Sequence, residues 1–410
     1  MKVNVVTPSD IFLNINDLSI FSNRNYVLNP FDERTIEFLD AFSKKILKDS
    51  ELSRLPEMAT LAFWIRRANI LKLKSENENL LYNPKYRAKP IGKVFHVCPA
   101  NVDTMFIYSL TVSLMMGNKN LLRISSRMHS NQINQLFDLL NKLLCEERYS
   151  VFNDYINIIS YSHNEEISNF ISQNVNARII WGGDNTIKIF RQFIPMPRTK
   201  DIVFADRVSI LCLNAKEYLK SNLTEKKKFA TNFFNDAYIF DQKGCSSPQS
   251  IYFIANEIDF LKCMEQIPLE LSEFIKEKSV TDINSIASLK LNKLLDDVLS
   301  ENIVHAYGDN FIKFVEVPNS KLSTLNHTCG GGYFYVSRIG AISELEPLIN
   351  LKLQTVSYFG LDEFEKSELI RISNSEGIDR IVPLGKALEF SYLWDGYNLF
   401  EEVSRKVYIQ

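Results

Sequence analysis

Apolar and polar positions change texture twice along this chain. Residues 1 to about 30 are irregular, rich in Asn, Asp and Ser, and predict no regular element. Phe31 to Leu47 and Met58 to Leu73 carry apolar residues at helical spacing and predict two amphipathic helices. Tyr82 to Pro90 reads as a basic, proline-bounded linker. From Lys93 the pattern alternates. Short, wholly apolar runs at 93–98, 120–124, 156–160, 177–181 and 202–204 predict buried strands. Helical patterns lie between them: 104–116, stopped by Gly117-Asn118; a face drawn by Ile133, Leu136, Phe137, Leu140, Leu143 and Leu144, with Ser130 as N-cap; then 165–173 and 186–193. A second alternating block begins near Val208. It predicts strands at 209–213, 250–255, 312–317, 333–336, 353–358 and 380–382, and helices at 224–240, 258–278, 284–299, 342–350 and 362–372. The tail ends in Lys406-Val407-Tyr408-Ile409, an extended segment free to pair with another sheet or subunit.

Strands that are apolar throughout and alternate with helices indicate an α/β protein whose parallel sheet is covered on both faces. Such sheets bind ligands outside the carboxyl ends of their strands, near a switch point. The turns at Asn101, Ser125-Ser126 and Gly182-Gly183 fall at strand ends and are cofactor-site candidates. The length, 410 residues, predicts two or three domains.

Composition narrows the function classes. The chain is 45% hydrophobic and 23% charged, with a formal net charge of -2. No overall basic field argues for nucleic acid or an anionic membrane. No apolar run approaches the roughly 20 residues that span a bilayer, and Met1 to Asp10 lacks the apolar core of a secretion signal. The six cysteines are scattered with no Cys-x-x-Cys pair, the pattern of reduced thiols in a cytoplasmic protein.

One cysteine stands apart. Cys245 sits in Gln242-Lys243-Gly244-Cys245-Ser246-Ser247-Pro248-Gln249, directly before an apolar strand pattern. Gly244 allows close approach of a second molecule, and Ser246, Ser247 and Pro248 bend the chain, which presents the thiol. A thiolate is the strongest side-chain nucleophile at neutral pH. Free cysteines are also among the most buried residues, so the local sequence leaves a core role open. Leu325 to Gly332, with His327, Cys329 and three glycines, is a second conspicuous loop. No other His/Cys cluster at ligand spacing accompanies it, so no metal site is expected; a loop lining or gating an active-site tunnel is preferred. The 28 Phe and 17 Tyr suit an acyl pocket, although core packing accounts for most of them.

Several stretches, in this order, resemble the aldehyde dehydrogenase superfamily and, within it, the LuxC-type acyl-CoA reductases. They are Pro90 to Asn101, Gly117-Asn118 with Leu122 to Ser126, Trp181 to Asp184, Gly244 to Gln249, Leu353 to Val356, Arg380 to Gly385, and Trp394-Asp395-Gly396. The resemblance covers about residue 85 to the C-terminus. It implies an aldehyde dehydrogenase-like fold in three parts: N-terminal helices and a Rossmann-type dinucleotide-binding domain at 1–205, an α/β catalytic domain at 206–382, and a C-terminal segment at 383–410. That last segment would return to the cofactor domain and build a homo-oligomer.

The resemblance also implies the chemistry. Cys245 would attack an acyl thioester, from CoA or a protein, and a nicotinamide hydride would release the acyl group as an aldehyde. Asn101 and the Cys245 N–H would be the oxyanion donors; as residues alone, Asn101 equally suits a helix cap or turn. Aldehyde-oxidising relatives carry a glutamate as general base where this chain reads Val203-Phe204-Ala205-Asp206-Arg207. Valine takes the glutamate's place and accepts no proton, so the acyl-enzyme is expected to survive hydrolysis. Asp206 could serve in a shifted register. That leaves an aldehyde-oxidising dehydrogenase with a displaced base as one rival, and an acyl-relay subunit of a larger complex as another. Arg123, Ser125 and Ser126 match the turn around the adenosine ribose. With serine in place of the ribose-binding acid and positive charge from Arg123, and from Arg127 if it is not a surface residue, NADPH is expected over NADH. Gly182 and Gly183, before a helix, are the expected pyrophosphate site, without a full Gly-x-Gly-x-x-Gly; Asp184 is expected as that helix's N-cap. An acyl-protein synthetase is the partner implied.

Overall fold

The computed structural model describes residues 1–22, 27–99, 104–125, 130–278, 283–300, 303–318 and 328–410. The chain divides into two compact units, Met1–Ala205 with Tyr397–Gln410, and Asp206–Gly396.

The first unit is built on a seven-stranded sheet. In chain order its strands are β1 (Lys2–Thr7) and β2 (Ile11–Asn14), then, past a separate strand β3 (Tyr86–Pro90), β4 (Lys93–Val97), β5 (Lys119–Ile124), β6 (Ile156–Ser160), β7 (Ala177–Trp181) and β8 (Lys200–Phe204). The spatial order is β2-β1-β6-β5-β4-β7-β8. The five strands from β6 to β8 are parallel, and β1 joins antiparallel to β6. From β4 the chain winds first toward β5 and β6, then crosses to β7 and β8. The order therefore reverses between β4 and β7, the switch point of a doubly wound sheet. All five residues of β7 are buried, as a strand covered on both faces requires. The helix Met105–Met115 is buried at nearly every position. Ser130 caps the helix Asn131–Leu144, its side chain accepting from Ile133 N at 3.2 Å.

Four local expectations are corrected here. The first 22 residues are not irregular: Val3 and Val5 alternate inward from β1, and the partner strand β6 supplies the ladder. The 82–90 stretch holds β3, which pairs antiparallel with the tail, Ser404–Tyr408. The single helix expected over 58–73 is two, Pro56–Ile65 and Arg67–Glu76. Arg66 is extended between them because Asp40 takes the Arg67 N–H at 2.9 Å. Asp184 opens its helix as the first helical residue, while Gly183 stands at the N-cap.

The second unit has its own seven-stranded sheet, from β9 (Val208–Asn214), β10 (Pro248–Ile254), β11 (His305–Gly308), β12 (Lys313–Glu316), β13 (Tyr333–Ile339), β14 (Leu353–Phe359) and β15 (Arg380–Pro383). The order is β11-β12-β13-β10-β9-β14-β15, and every pair but β11/β12 is parallel. Alternate residues feed two cores. Leu211, Leu213, Ile251 and Phe253 pack with Phe229, Phe233, Met264 and Leu271 from the helices Leu223–Ala237 and Glu257–Lys278. Ile210, Cys212 and Tyr252 pack with Ile342, Leu345, Leu369 and Ile372 on the opposite face.

Candidate active site

Cys245 lies just before β10, at the amino end of the second sheet. The starts of β9, β13, β14 and β15 bring Ser209, Tyr333, Gln354 and Arg380 to the same edge. The loop that carries it is held by backbone geometry. After the helix Leu223–Ala237, Asp241 (φ 49°) and Gln242 (φ 58°) take the left-handed conformation, and Gln242 N donates to Ala237 O at 2.8 Å. The Gln242 side chain is buried and acts as a plug. Its Nε2 donates to Pro248 O (3.0 Å) and Tyr333 O (3.1 Å), and its Oε1 accepts from Gly332 N (2.6 Å) and Tyr333 N (3.1 Å). Gln249 Nε2 donates to Gln242 O at 3.0 Å. A turn then closes from Ser247 N to Gly244 O, 2.9 Å.

The Cys245 peptide is fixed on one side and open on the other. Ser209 Oγ donates to Cys245 O at 2.7 Å and itself accepts from Thr355 N at 3.2 Å, which ties the carbonyl into the sheet. The Cys245 N–H has no hydrogen-bond partner among the described residues. The side chain is half-buried. Burial pushes its thiol up from the ordinary cysteine value and the Asp395 charge adds to that; hydrogen bonding to Gln354 and Ser246 and the Arg380 charge pull it down. Cys98, Cys212 and Cys263 are buried in the cores, with thiols raised by burial.

Polar groups line the far side of the loop. Ser246 Oγ donates to Gln354 Oε1 at 3.0 Å, and Gln354 Nε2 donates to Asp395 Oδ1 at 2.6 Å. Arg207 pairs with Asp395 at 3.2 Å and with Asp379 at 2.6 Å. Arg380 donates from Nη1 to Ser246 Oγ at 3.3 Å and lies over the Trp394 ring, 4.3 Å from its centroid. Gln354, Arg380 and Asp395 stand in the stretches that carry the family resemblance, yet sequence reasoning gave them no role. Ser209 carried no signal at all.

Asn101, Ser126, Arg127 and His327 lie outside the described residues. The described end of the glycine loop is tied to the Cys245 loop: Thr328 donates to Gln249 Oε1 from N (3.1 Å) and Oγ1 (2.7 Å), and Gly331 N donates to Asp241 O at 3.2 Å. Cys329 beside it is half-buried. Among the described residues no group of three or more His, Cys, Asp and Glu side chains is arranged to hold a metal ion.

In the first unit, Arg123 and Ser125 stand at the carboxyl end of β5, and Gly182 and Gly183 at that of β7, on either side of β4 and the switch point. Arg123 packs on Tyr161, Cζ 4.7 Å from the ring centroid, and its buried Nε lacks a partner among the described residues. Gly183 caps the helix Asp184–Gln192, and a Cβ built there meets nothing within 4 Å. An open helix start and a cationic group with a spare donor fit a dinucleotide phosphate. Asp184 in the first turn opposes it. Val203, in register with Ile180 on β7, packs against an apolar cluster. Asp206 pairs with Lys352 at 3.3 Å.

Known proteins give this geometry a context. Among solved structures, an aldehyde dehydrogenase from Brucella melitensis biovar abortus 2308 superposes with a TM-score of 0.66 over 100% of this chain and 93% of its own, at 13% identity. The glyceraldehyde-3-phosphate dehydrogenase GapN of Methanocaldococcus jannaschii, complexed with NADP, has a TM-score of 0.64 at 14% identity, covering 92% of this chain and 89% of that one. The fold is therefore aldehyde dehydrogenase-like. A long-chain acyl-protein thioester reductase of Photobacterium phosphoreum is 24% identical over 308 residues, 73% of this chain and 58% of that protein. One from Aliivibrio fischeri is 22% identical over 312 residues, 73% and 59%. The chain thus spans less than two thirds of the length of these relatives. The model of the family described as acyl-CoA reductase (LuxC) matches residues 19–406, a span that takes in both sheets and the Cys245 loop, and the chain belongs to that family.

Proposed function

We propose that this protein reduces an acyl thioester, carried by CoA or by a protein, to an aldehyde through an S-acyl intermediate on Cys245. The observation that carries the reading is the Cys245 peptide, with its carbonyl anchored by Ser209 and its N–H without a partner among the described residues. That arrangement leaves an amide donor next to the sulfur for the oxygen that becomes negative when the thiolate adds to the acyl carbon. Asn101 is proposed as the second donor. The carbon–sulfur bond to the donor breaks, the donor thiolate takes a proton, and the acyl group stays on Cys245. A nicotinamide dinucleotide, when bound, supplies the hydride that converts the acyl group to the aldehyde. Cys245 then leaves as thiolate and is free for another donor.

Water must be kept from the acyl-enzyme, and the residues that could supply a general base are poorly suited to activate it. Val203 accepts no proton, Asp206 is paired with Lys352, and Asp395 is nearly closed to solvent and held by Arg207 and Gln354. These features favour reduction over aldehyde oxidation. Arg123, Ser125, Gly182 and Gly183 are proposed to hold the dinucleotide, with Ser126. Serine at 126, where the resemblance puts the ribose-binding acid, together with the positive charge of Arg123, favours NADPH. The first unit is then the cofactor domain and the second the catalytic domain. A homo-oligomer built on the C-terminal strand, an acyl-protein synthetase as donor, and residence in the cytoplasm complete the proposal. No described helix is long and apolar enough to cross a membrane.

Incubation with a long-chain acyl-CoA should add the acyl mass at Cys245, seen by peptide mass spectrometry, and NADPH should then discharge it as aldehyde. Cys245→Ala should lose both adduct and aldehyde; an undiminished rate in that variant discards the scheme. Failure of NADPH to quench intrinsic fluorescence, with acylation intact, favours an acyl-relay role instead.

A further inference from the structure

The hydrogen bonds behind Cys245 run in one direction, set from both ends. Asp395 as a carboxylate only accepts, so Gln354 turns Nε2 toward it, at 2.6 Å. That leaves Gln354 Oε1 to accept from Ser246 Oγ, at 3.0 Å. With its proton used there, the Ser246 oxygen accepts from Arg380 Nη1, at 3.3 Å. Arg380 is held in place: Nη1 also donates to Ala387 O (2.9 Å), Nη2 donates to Glu389 O (3.1 Å), and the guanidinium stacks on Trp394. Arg207, anchored by Asp379 and by Leu353 O at 2.9 Å, grips Asp395 from behind.

The ends of this chain carry opposite charges, and its middle member, Ser246, directly follows Cys245. The elements around the thiol contribute Ser209 from β9, Gln354 from β14, Arg380 from β15 and Asp395 from the segment after it. Of these, Asp395 and Arg380 are charged; Asp236, from the helix Leu223–Ala237, acts on Arg380. We propose that Arg380 and Asp395, joined through Ser246 and Gln354, are positioning residues of one relay that tunes the readiness of Cys245 to attack. The proposal rests on the reading of Cys245 as nucleophile. Arg380 is already oriented when the sulfur becomes negative, so no reorganisation is needed. Asp395 opposes the free thiolate but not the S-acyl form, whose sulfur is uncharged. The Asp395 end of the relay therefore favours the acylated enzyme over the ionised one, while the Arg380 end keeps the thiolate within reach.

The test is the pH dependence of Cys245 alkylation by iodoacetamide in the full chain, with the modified cysteine located by peptide mass spectrometry. Asp395→Asn should lower the midpoint by up to about one pH unit, raising the rate below it by up to about tenfold. Arg380→Met should raise the midpoint by a similar amount, and Arg380→Lys should restore most of the difference. Ser246→Ala keeps both charges and removes the link, so it should raise the midpoint by less than Arg380→Met does. It also serves if Asp395→Asn, which breaks a buried ion pair, does not fold by circular dichroism. Midpoints that move in one common direction for Asp395→Asn and Arg380→Met overturn the relay, as does a Ser246→Ala midpoint within about 0.1 unit of the parent. Acylation by acyl-CoA is read separately. Moved midpoints without an adduct on the parent protein remove the nucleophile reading alone; an intact adduct with unmoved midpoints removes the relay alone.

Discussion

The Gln242 side chain joins three segments of backbone. Four main-chain groups, from Pro248, Gly332 and Tyr333, are paired by its one amide. Each buried group left without a partner costs about 1–3 kcal/mol. Gln242→Leu should therefore lower stability by at least about 3 kcal/mol, read as a lower urea midpoint at unchanged slope. A loss under about 1 kcal/mol would mean that water replaces the amide. This residue also explains what was readable in the motif. The cysteine, the glycine and the turn formers make Cys245 a candidate through their own chemistry. Gln242 announces nothing, because its role depends on β13, which lies about ninety residues away in sequence. The same holds for Ser209, whose hydroxyl reaches Cys245 O only because β9 and β10 are neighbours.

The stretch from Leu384 to Leu388 is held onto the helix Leu223–Ala237 by Asp236. Its carboxylate accepts from Gly385 N at 2.7 Å and Ala387 N at 2.9 Å. Gly385 has φ 93°, and a Cβ there would meet Asn232 at 2.7 Å, so the stretch needs glycine to lie this close. Burial raises the Asp236 carboxyl to about 7, against the pull of those two N–H groups. The folded state thus binds this proton more tightly than the unfolded chain. The resulting stability is full below about pH 4 and is lost as pH rises through about 7. The melting-temperature advantage of the parent over Asp236→Asn should shrink between pH 5 and pH 8. A constant or growing advantage would show that the carboxylate is ionised throughout. Elements with strong apolar periods were legible: β7, the helix Met105–Met115 and the capped helix Asn131–Leu144 fall where the pattern put them. β1, β2 and β3 were not: β2 is an edge strand, β3 pairs with a single strand, and β1 is half polar and specified by its partners β2 and β6.

The C-terminal strand closes the first unit on itself. Residues 397–410 return to it after the whole second unit, and Ser404–Tyr408 runs antiparallel to β3 from Ser404 opposite Pro90 to Tyr408 opposite Tyr86. A two-stranded ribbon standing alone is marginal in water. Tyr408 and Val407 remain exposed on it, which is why this ribbon is proposed as the seat of the homo-oligomer. Ending the chain after Val403 should leave β3 without its partner and reduce the sedimentation coefficient to that of a monomer. An unchanged oligomer after that truncation would place the subunit interface elsewhere.

Much of the architecture follows from local physics. Runs of apolar residues too short for helices, alternating with amphipathic helical faces, indicate parallel strands sandwiched between helices, and a cysteine among turn formers before such a strand is a candidate nucleophile. Which side chains surround that cysteine is another matter. Asp395, Gln354, Arg380 and Ser209 come from four segments between positions 209 and 395, and they meet only because parallel pairing aligns the starts of β9, β10, β14 and β15. Strand order and register are agreements between distant segments, and no window of sequence contains both parties.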